Sequence, residues 1–546
     1  MTRLSTDKYV RPWLGIHPCP SVVKKCLWFG LLAGASLGLA RAAEPAFPFA
    51  EATIDGLQAQ MAAGKLTARE LTAAYLQRIA AVDKAGPKLN AIIELNPDAL
   101  AIADPLDAER KAGHVRGPLH GIPMLIKDNL DTADRMATTA GSLALVGAKP
   151  PRDAHVVARL REAGVVILGK TNLSEWANYR GSNSSSGWSG RGGQTRNPYA
   201  LDRNPSGSSA GSGSAVSANL CVAAIGTETN GSIMSPASAV GIVGIKPTVG
   251  LVSRAGIIPI AASQDTAGPM TRTVRDAALV LAAITGTDER DEATREIPAT
   301  LATELSRALT PGALKGTRIG VVRGPFAFHP RMDGLMDGLV ETLRAAGAVV
   351  VDSLSLESLG RLGGAQETLL SYEFKDGLNR YLAAPGRVAP VHTLADVIAF
   401  NQAHRAEELP FFGQERMLAA QSRGPLTDQA YREARALCRQ LTRTEGLDAA
   451  LEGNRLDALV MLTRGPATLT DHINGEGGSG SSWALAAIAG YPSVTVPAVE
   501  IFGLPMGLSF VGRPWSEARL LAFAADFESR THARREPKFL PTIVVP

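Results

Sequence analysis

Residues 226–233 read G-T-E-T-N-G-S-I, and two other stretches belong with them: G-I-P-M-L-I-K-D-N at 121–129 and P-S-G-S-S-A-G-S-G-S-A at 205–215. In the first, Asn230-Gly231 permits a sharp turn that exposes the hydroxyl of Ser232. The same turn points successive N–H groups toward one spot. Thr229, Asn230, Gly231 and Ser232 are therefore the candidate backbone donors for a developing oxyanion, each worth about 2.7–4 kcal/mol in a transition state when well placed. In the second stretch Lys127 ends the apolar run Ile122-Pro123-Met124-Leu125-Ile126. A lysine buried this way can lose up to ~3–5 pKa units and become a neutral base. Asp128 is next in the chain, but in an extended segment adjacent side chains point to opposite faces, so adjacency does not imply pairing. In the third stretch Ser208 carries a hydroxyl that both donates and accepts, the property needed to link Ser232 to Lys127. Such a chain activates a nucleophile without histidine or metal. Each residue also has a plainer reading: Lys127 as a lysine whose stem is buried and whose head reaches water, Ser208 as one of the eight serines between Ser182 and Ser209.

The three stretches, in this order, resemble the amidase signature family of serine hydrolases. That family carries a G-I-P-x-x-x-K-D stretch, a Gly/Ser-rich stretch with a bridging serine, and a G-G-S-I turn with the nucleophile. The resemblance implies Lys127 as base, Ser208 as the relaying serine on an unusual cis peptide bond, and Ser232 as nucleophile. Further matches lie at Gly169-Lys170-Thr171-Asn172, Gly244-Ile245-Lys246-Pro247-Thr248, Asp265-Thr266-Ala267-Gly268-Pro269, Ala489-Gly490-Tyr491-Pro492 and Gly503-Leu504-Pro505-Met506-Gly507. They cover roughly residues 51 to 541, most weakly from 300 to 450. The resemblance implies an α/β/α sandwich around a large mixed, twisted sheet, and hydrolysis of carboxylic amide C–N bonds through an acyl-enzyme. Two departures stand out: Glu228 replaces the family's usual aspartate, and Met234 stands where it has an arginine. Ser186-Gly187-Trp188, together with the run from Arg191 to Tyr199, is most similar to the peptide amidase branch, which removes C-terminal carboxamides. Aryl and aliphatic amides are the alternative substrates within the family.

Outward from these stretches the pattern is α/β. Thr67-x-x-Glu70 is a capping box. Leu71, Ala74, Tyr75, Ile79 and Val82 come after it at helical spacing, with Gly86 and Pro87 closing the element. Residues 154–162 and 332–346 read as helices. Residues 165–168, 319–322, 349–351 and 457–462 read as short buried strands. Residues 178–214 are dense in Ser, Gly and Asn. By composition they are a linker; by the segment they lead into, they are a packed site loop. Trp188 and Tyr199 are candidates for the pocket wall, or for ordinary loop packing. The expected organisation is a signal peptide over 1–42 and one amidase domain over 43–546, variable at about 300–450 and drawing part of its pocket from that region.

The N-terminal reading rests on Lys24-Lys25, an apolar h-region over 27–40 and the A-x-A site Ala40-Arg41-Ala42. It implies export to the periplasm or medium, with no membrane segment retained after cleavage. The rival reading, an uncleaved anchor, is disfavoured because the run is shorter than the ~20 residues that span a bilayer. Beyond it only Cys221 and Cys438 remain of four cysteines; two widely spaced cysteines are not a disulfide framework, and the sequence leaves their pairing open. The formal net charge of +4 over 546 residues, with no long basic run, does not indicate a nucleic-acid partner. The nine histidines show neither H-E-x-x-H nor zinc-type spacing, and no Gly-Lys-Ser/Thr phosphate loop is present, so no cofactor or metal is expected.

Two readings from other classes compete. Gly207-Ser208-Ser209-Ala210-Gly211 satisfies the G-x-S-x-G elbow of α/β-hydrolase esterases, with Ser209 as nucleophile. It requires a strand just before the elbow, and 201–205 (L-D-R-N-P) is no strand. The family also includes a tRNA-dependent amidotransferase subunit. An exported chain does not fit that cytosolic work, and three filled catalytic positions do not fit a pseudoenzyme.

Overall fold

A computed structural model of the chain describes residues 47–307, 309–324 and 330–545. The expected signal peptide lies outside the described residues. An eleven-stranded sheet organises the fold. Its strands, with those of one small hairpin, are β1 (Ile92–Leu95), β2 (Pro123–Lys127), β3 (Val166–Thr171), β4 (Trp188–Ser189), β5 (Gly193–Gln194), β6 (Ala223–Glu228) and β7 (Val243–Lys246). The chain continues through β8 (Thr266–Thr271), β9 (Arg318–Val322), β10 (Val349–Leu354), β11 (Ala458–Leu462), β12 (Ser493–Ile501) and β13 (Leu504–Val511). The order across the sheet is β1-β3-β2-β6-β8-β7-β12-β13-β11-β9-β10, and β4 pairs with β5 apart from it.

The sheet is mixed in a regular way. β3, β2 and β6 run parallel on one flank and β11, β9 and β10 on the other. Between them β6, β8, β7, β12, β13 and β11 pair antiparallel. The central strands are buried along their length: every residue of β2, β3, β6, β7 and β8 is buried. Continuous apolar runs, rather than alternating ones, are what a sheet covered on both faces requires. The covering helices fall into two groups. Ala210–Ser217 and Met234–Ala239 touch each other; the first lies against β6 and β8, the second against β12 and β13. Val274–Ile284 and Glu517–Thr531 touch each other and pack on β8 and β12 respectively. The result is the expected α/β/α sandwich. Among the described residues no helix is long and apolar enough to cross a membrane.

Local signals map closely onto elements. The capping box at Thr67 and Glu70 is formed and starts the helix Ala68–Ile79, with Leu71, Tyr75 and Ile79 buried. That helix does not stop at Ile79; it widens into a π turn over Ala80–Lys84 before Gly86. The other two predicted helices run His155–Glu162 and Pro330–Ala345. All four predicted strands are present, β3 and β10 each three residues longer at the C-terminal end. Cys221 and Cys438 are both buried free thiols and do not pair.

The serine- and glycine-rich segment is packed, not a linker. Ser185, Ser186, Ser189, Thr195, Asn197, Asn204 and Ser206 are all buried. Side-chain amides supply its hydrogen bonds: Asn172 Nδ2 donates to the Gly193 carbonyl (2.9 Å), Asn204 Nδ2 to the Ser186 carbonyl (3.0 Å) and Asn197 Nδ2 to the Ala239 carbonyl (3.0 Å). A loop with few apolar side chains stays inside only if its polar groups are paired in this manner.

Candidate active site

Two adjacent parallel strands bring the site together at their C-terminal ends. β2 ends at Lys127 and β6 at Glu228. β6 is also the strand at which the sheet changes from parallel to antiparallel pairing, and the carboxyl ends of β2 and β6 face the region in which open α/β sheets bind ligands. The side chain of Lys127 is fully buried. Its Nζ lies 2.7 Å from Ser208 Oγ, 3.0 Å from Ser209 Oγ, 2.9 Å from Thr227 Oγ1 and 3.2 Å from the Thr227 carbonyl. Asp128 points the other way: it accepts from the Thr139 hydroxyl and lies 3.4 Å from Arg191. The opposite-face argument for this pair therefore holds.

Burial pulls the Lys127 amine down from 10.5 to about 7, while the carboxylates of Glu228 and Asp265 pull it back up. The four oxygens around Nζ decide how a neutral amine, with two hydrogens and one lone pair, is oriented. The Thr227 carbonyl can only accept. The Ser209 hydroxyl donates to that carbonyl (3.1 Å) and takes the Thr227 N–H (3.2 Å), so toward Nζ it accepts. Both amine hydrogens are then committed. The lone pair remains for a hydroxyl hydrogen, and Ser208 Oγ is the nearest hydroxyl.

Ser208 is fully buried and stands after the cis peptide bond Gly207–Ser208. Ser174 N–H holds its carbonyl at 3.1 Å, and a Cβ on Gly207 would stand 2.2 Å from Ser174 Oγ, so only glycine fits. Ser232 is 7% exposed and lines a cavity of about 520 Å³. Its carbonyl accepts from Ser209 N–H at 3.1 Å, tying the two serine-bearing segments together. No hydrogen bond joins the hydroxyls of Ser208 and Ser232 among the described residues. The Lys127–Ser208 half of the chain is formed and the Ser208–Ser232 half is open, a looseness common before substrate is bound.

The turn over 229–232 is clamped from both sides. Glu228 Oε2 accepts from Ile233 N–H (2.7 Å) and Met234 N–H (2.9 Å) beyond it. Asp265 Oδ1 takes the Thr229 hydroxyl (2.6 Å), and Gln264 Nε2 donates to the Thr229 carbonyl (3.0 Å). Gly231 has φ +85°, and a Cβ there would lie 2.4 Å from Trp483 Nε1. Among the described residues no protein acceptor takes the N–H groups of Thr229, Asn230, Gly231 or Ser232, so all four stay free to serve as donors.

Comparison with known proteins supplies the family. The amidase family model matches residues 70–521. The chain belongs to the amidase signature family. A protein of Arabidopsis thaliana named as a probable amidase is 42% identical over 503 residues, 90% of this chain and 93% of that one. The native peptide amidase of Stenotrophomonas maltophilia is 54% identical, with a TM-score of 0.87, and covers 90% of this chain and 99% of its own. The same TM-score and identity hold for peptide amidase bound to the competitive inhibitor chymostatin. The family's reaction is hydrolysis of amide C–N bonds, and the close match to peptide amidase puts this amidase beside that branch.

Several residues of the site were not singled out by sequence reasoning. Thr227 holds the lysine, and Asn129 Nδ2 donates to Thr227 Oγ1 at 3.0 Å; Ser209, which the sequence offers only as a rival nucleophile, holds the lysine as well. Asp265 stands in the sequence only as part of a matching stretch, and nothing there marks Gln264, or Arg464 and Trp483, which line the cavity. Trp188 and Tyr199 do not line the cavity. Trp188 packs edge-on against Phe411 and Phe412 under the Arg180 guanidinium, and the Tyr199 hydroxyl donates to the Arg535 carbonyl. Both are packing residues. The expected share of the pocket from 300–450 is present as Gln366, Glu367, Leu370 and Arg416. Ser209 lacks what the esterase elbow needs, since residues 204–209 contain no strand and its hydroxyl is committed to Thr227 and Lys127.

Proposed function

We propose that this amidase cleaves primary carboxamides at the C-terminus of peptides, with Ser232 as nucleophile, Ser208 as relay and Lys127 as base. The observation that carries the reading is a neutral-leaning lysine amine 2.7 Å from Ser208 Oγ in a fully buried position. Ser232 Oγ attacks the amide carbon; its proton passes to Ser208 Oγ, and the proton of Ser208 passes to Lys127 Nζ. The oxyanion is received by the free N–H groups of residues 229–232. Lys127 then returns a proton through Ser208 to the departing nitrogen, ammonia leaves and an acyl-enzyme on Ser232 remains. Water repeats the sequence on the ester. The charged lysine formed in between has three hydrogens for the four oxygens around it, so it gains donors without losing a partner.

Peptide amides, rather than aryl or simple aliphatic ones, are favoured by the cavity. Its walls are mostly polar: Asn178, Ser182, Asn183, Ser184, Ser186 and Asn230 line it, with the Gly-Gly-Ser-Gly segment 477–480. Such a lining suits repeated carbonyl and N–H groups better than an aromatic ring. The 54% identity to peptide amidase supports the same choice. We also propose export, on the strength of the basic, apolar and A-x-A sequence over 1–42. Ammonia release from C-terminally amidated peptides, set against aryl and aliphatic amides, tests the substrate reading. Peptide amides are expected to lead by at least an order of magnitude in kcat/KM; parity or a reversed order would refute it.

A further inference from the structure

Next to the cavity-lining residues Asn183 and Glu476 the chain exposes apolar surface on a hydrogen-bonded turn. Ile473 is 85% exposed, yet it does not sit on a loose loop. Asp471 Oδ1 accepts from Ile473 N–H (2.8 Å) and Asn474 N–H (2.9 Å), and Asn474 Nδ2 donates to Asp471 Oδ2 (2.7 Å). The Ile473 carbonyl accepts from Asn183 Nδ2 (3.3 Å), and Gly475, at φ +81°, has Asn183 Oδ1 where a Cβ would stand. Asn183 lines the cavity, as do Glu476 and Gly477 at the end of this turn. Beside Ile473, the ring of His472 stacks on Phe411 with centroids 4.2 Å apart and planes 12° from parallel. Phe411 is itself 47% exposed, and it also meets the Trp188 ring edge-on at 5.6 Å. Burial holds the His472 imidazole below its ordinary value.

Single exposed apolar residues are unremarkable on a surface. An isoleucine on a turn held by Asp471 and Asn183, one residue from a histidine stacked on an exposed phenylalanine and joined to the cavity wall through Asn183, is a patch with a shape. We propose that Ile473, His472 and Phe411 form a subsite for an apolar side chain of the peptide, upstream of the amidated residue. Continuity with the cavity names the occupant: a peptide whose last carbonyl sits at Ser232 leaves the cavity past Asn183, which anchors the turn. This inference rests on the peptide-carboxamide reading given above.

The test is ammonia release from amidated tetrapeptides that share their last residue and carry Leu or Ser at each upstream position in turn. The wild-type enzyme is expected to prefer Leu at one upstream position by about five- to tenfold in kcat/KM, the size of a partly buried aliphatic contact. Ile473→Ser and Phe411→Ser should each bring that ratio close to one; Val349→Ser, an exposed apolar residue on β10 at the edge of the sheet, should leave it unchanged. Release from every peptide without an upstream preference would overturn the subsite alone, as would a preference that survives Ile473→Ser. No release from any peptide amide would overturn the substrate reading and the subsite with it. Sedimentation of wild type and Ile473→Ser should give one mass; a lower mass for the variant would make the patch an interface between copies and overturn the subsite.

Discussion

Glu228→Gln separates the charge of one carboxylate from its hydrogen bonds. In the wild type the Lys127 amine stands at about 7. Its neutral fraction is then about one half at pH 7, about nine-tenths at pH 8 and about one-tenth at pH 6. Because kcat/KM tracks the ionisation of the free enzyme, it should rise along that curve, with about tenfold lost for each unit of pH well below 7. The position of the limb is a balance of burial, which lowers the lysine, against Glu228 and Asp265, which raise it. Glutamine keeps a carbonyl oxygen to accept from Ile233 and Met234 and removes the charge. A positive amine loses an attractive neighbour, so the lysine falls further and the limb moves to lower pH. At pH 6 to 6.5 the variant should therefore retain a larger share of its own maximal rate than the wild type does. Initial rates of ammonia release from pH 6 to 9, at constant ionic strength and with a substrate that does not titrate there, read this directly. The range stops at 6 because burial raises Asp265 to about 6, so that at this pH the second carboxylate is itself about half protonated. A wild-type rate flat down to pH 6 would refute the lysine base. A limb unmoved or displaced upward by Glu228→Gln would refute the electrostatic argument, whatever happened to the maximal rate.

Lys127→Met should abolish turnover and raise thermal stability near neutral pH. A lysine lowered in the fold from 10.5 to about 7 costs up to about 5 kcal/mol below pH 7, and the cost fades as pH rises from 7 toward 10.5. Denaturation monitored at pH 7 and pH 10 should show the gain at the first and little at the second; lost hydrogen bonds to Ser208 and Thr227 will reduce it. Gly231→Ala meets both a positive φ and the Trp483 indole at 2.4 Å, so kcat is expected to fall by at least about a hundredfold, the size of a misplaced oxyanion donor, in steady-state assays. Ser232→Ala should eliminate acyl-enzyme detectable by mass spectrometry with a slow substrate. Ser209→Ala should keep the adduct on Ser232 while slowing turnover, by about ten- to a hundredfold, because it loosens the lysine without touching the nucleophile.

What could be read in advance, and what could not, divides along a physical line. The strand over 166–171 and the capped helix from Ala68 were legible because periodicity, cap and length act within a few residues. Lys127, Ser208 and Ser232 were legible because the stretches that hold them resemble those of the amidase signature family; by composition alone Ser208 is one serine among eight. Thr227 and Ser209 lay inside those stretches, but their role depends on pairing across 18 residues and on where an amine 100 residues upstream ends. Trp483 reaches Gly231 from the far side of the chain, and nothing local to either residue announces it. The segment 178–214 is the sharpest case. Its composition is that of a flexible linker, and what makes it rigid is a set of Asn and Ser side chains whose partners are supplied only by the folded sheet.

The same division explains why the site is built where it is. A neutral lysine requires a place from which water is excluded, yet its hydroxyl partner must communicate with a cavity open to substrate. A strand buried on both faces provides the first, and its C-terminal end provides the second. Lys127 is the last residue of β2, so its stem lies in the core of the sheet while its amine reaches the first loop atoms beyond it. Moving the lysine one residue earlier would turn the side chain to the opposite face. One residue later is Asp128, which already serves Thr139 and Arg191 on that face. A Lys127→Ile/Ile126→Lys exchange keeps composition and burial constant and should leave no measurable amidase activity. Recovery of rate in that exchange would mean that burial alone, without the direction set by the strand, suffices.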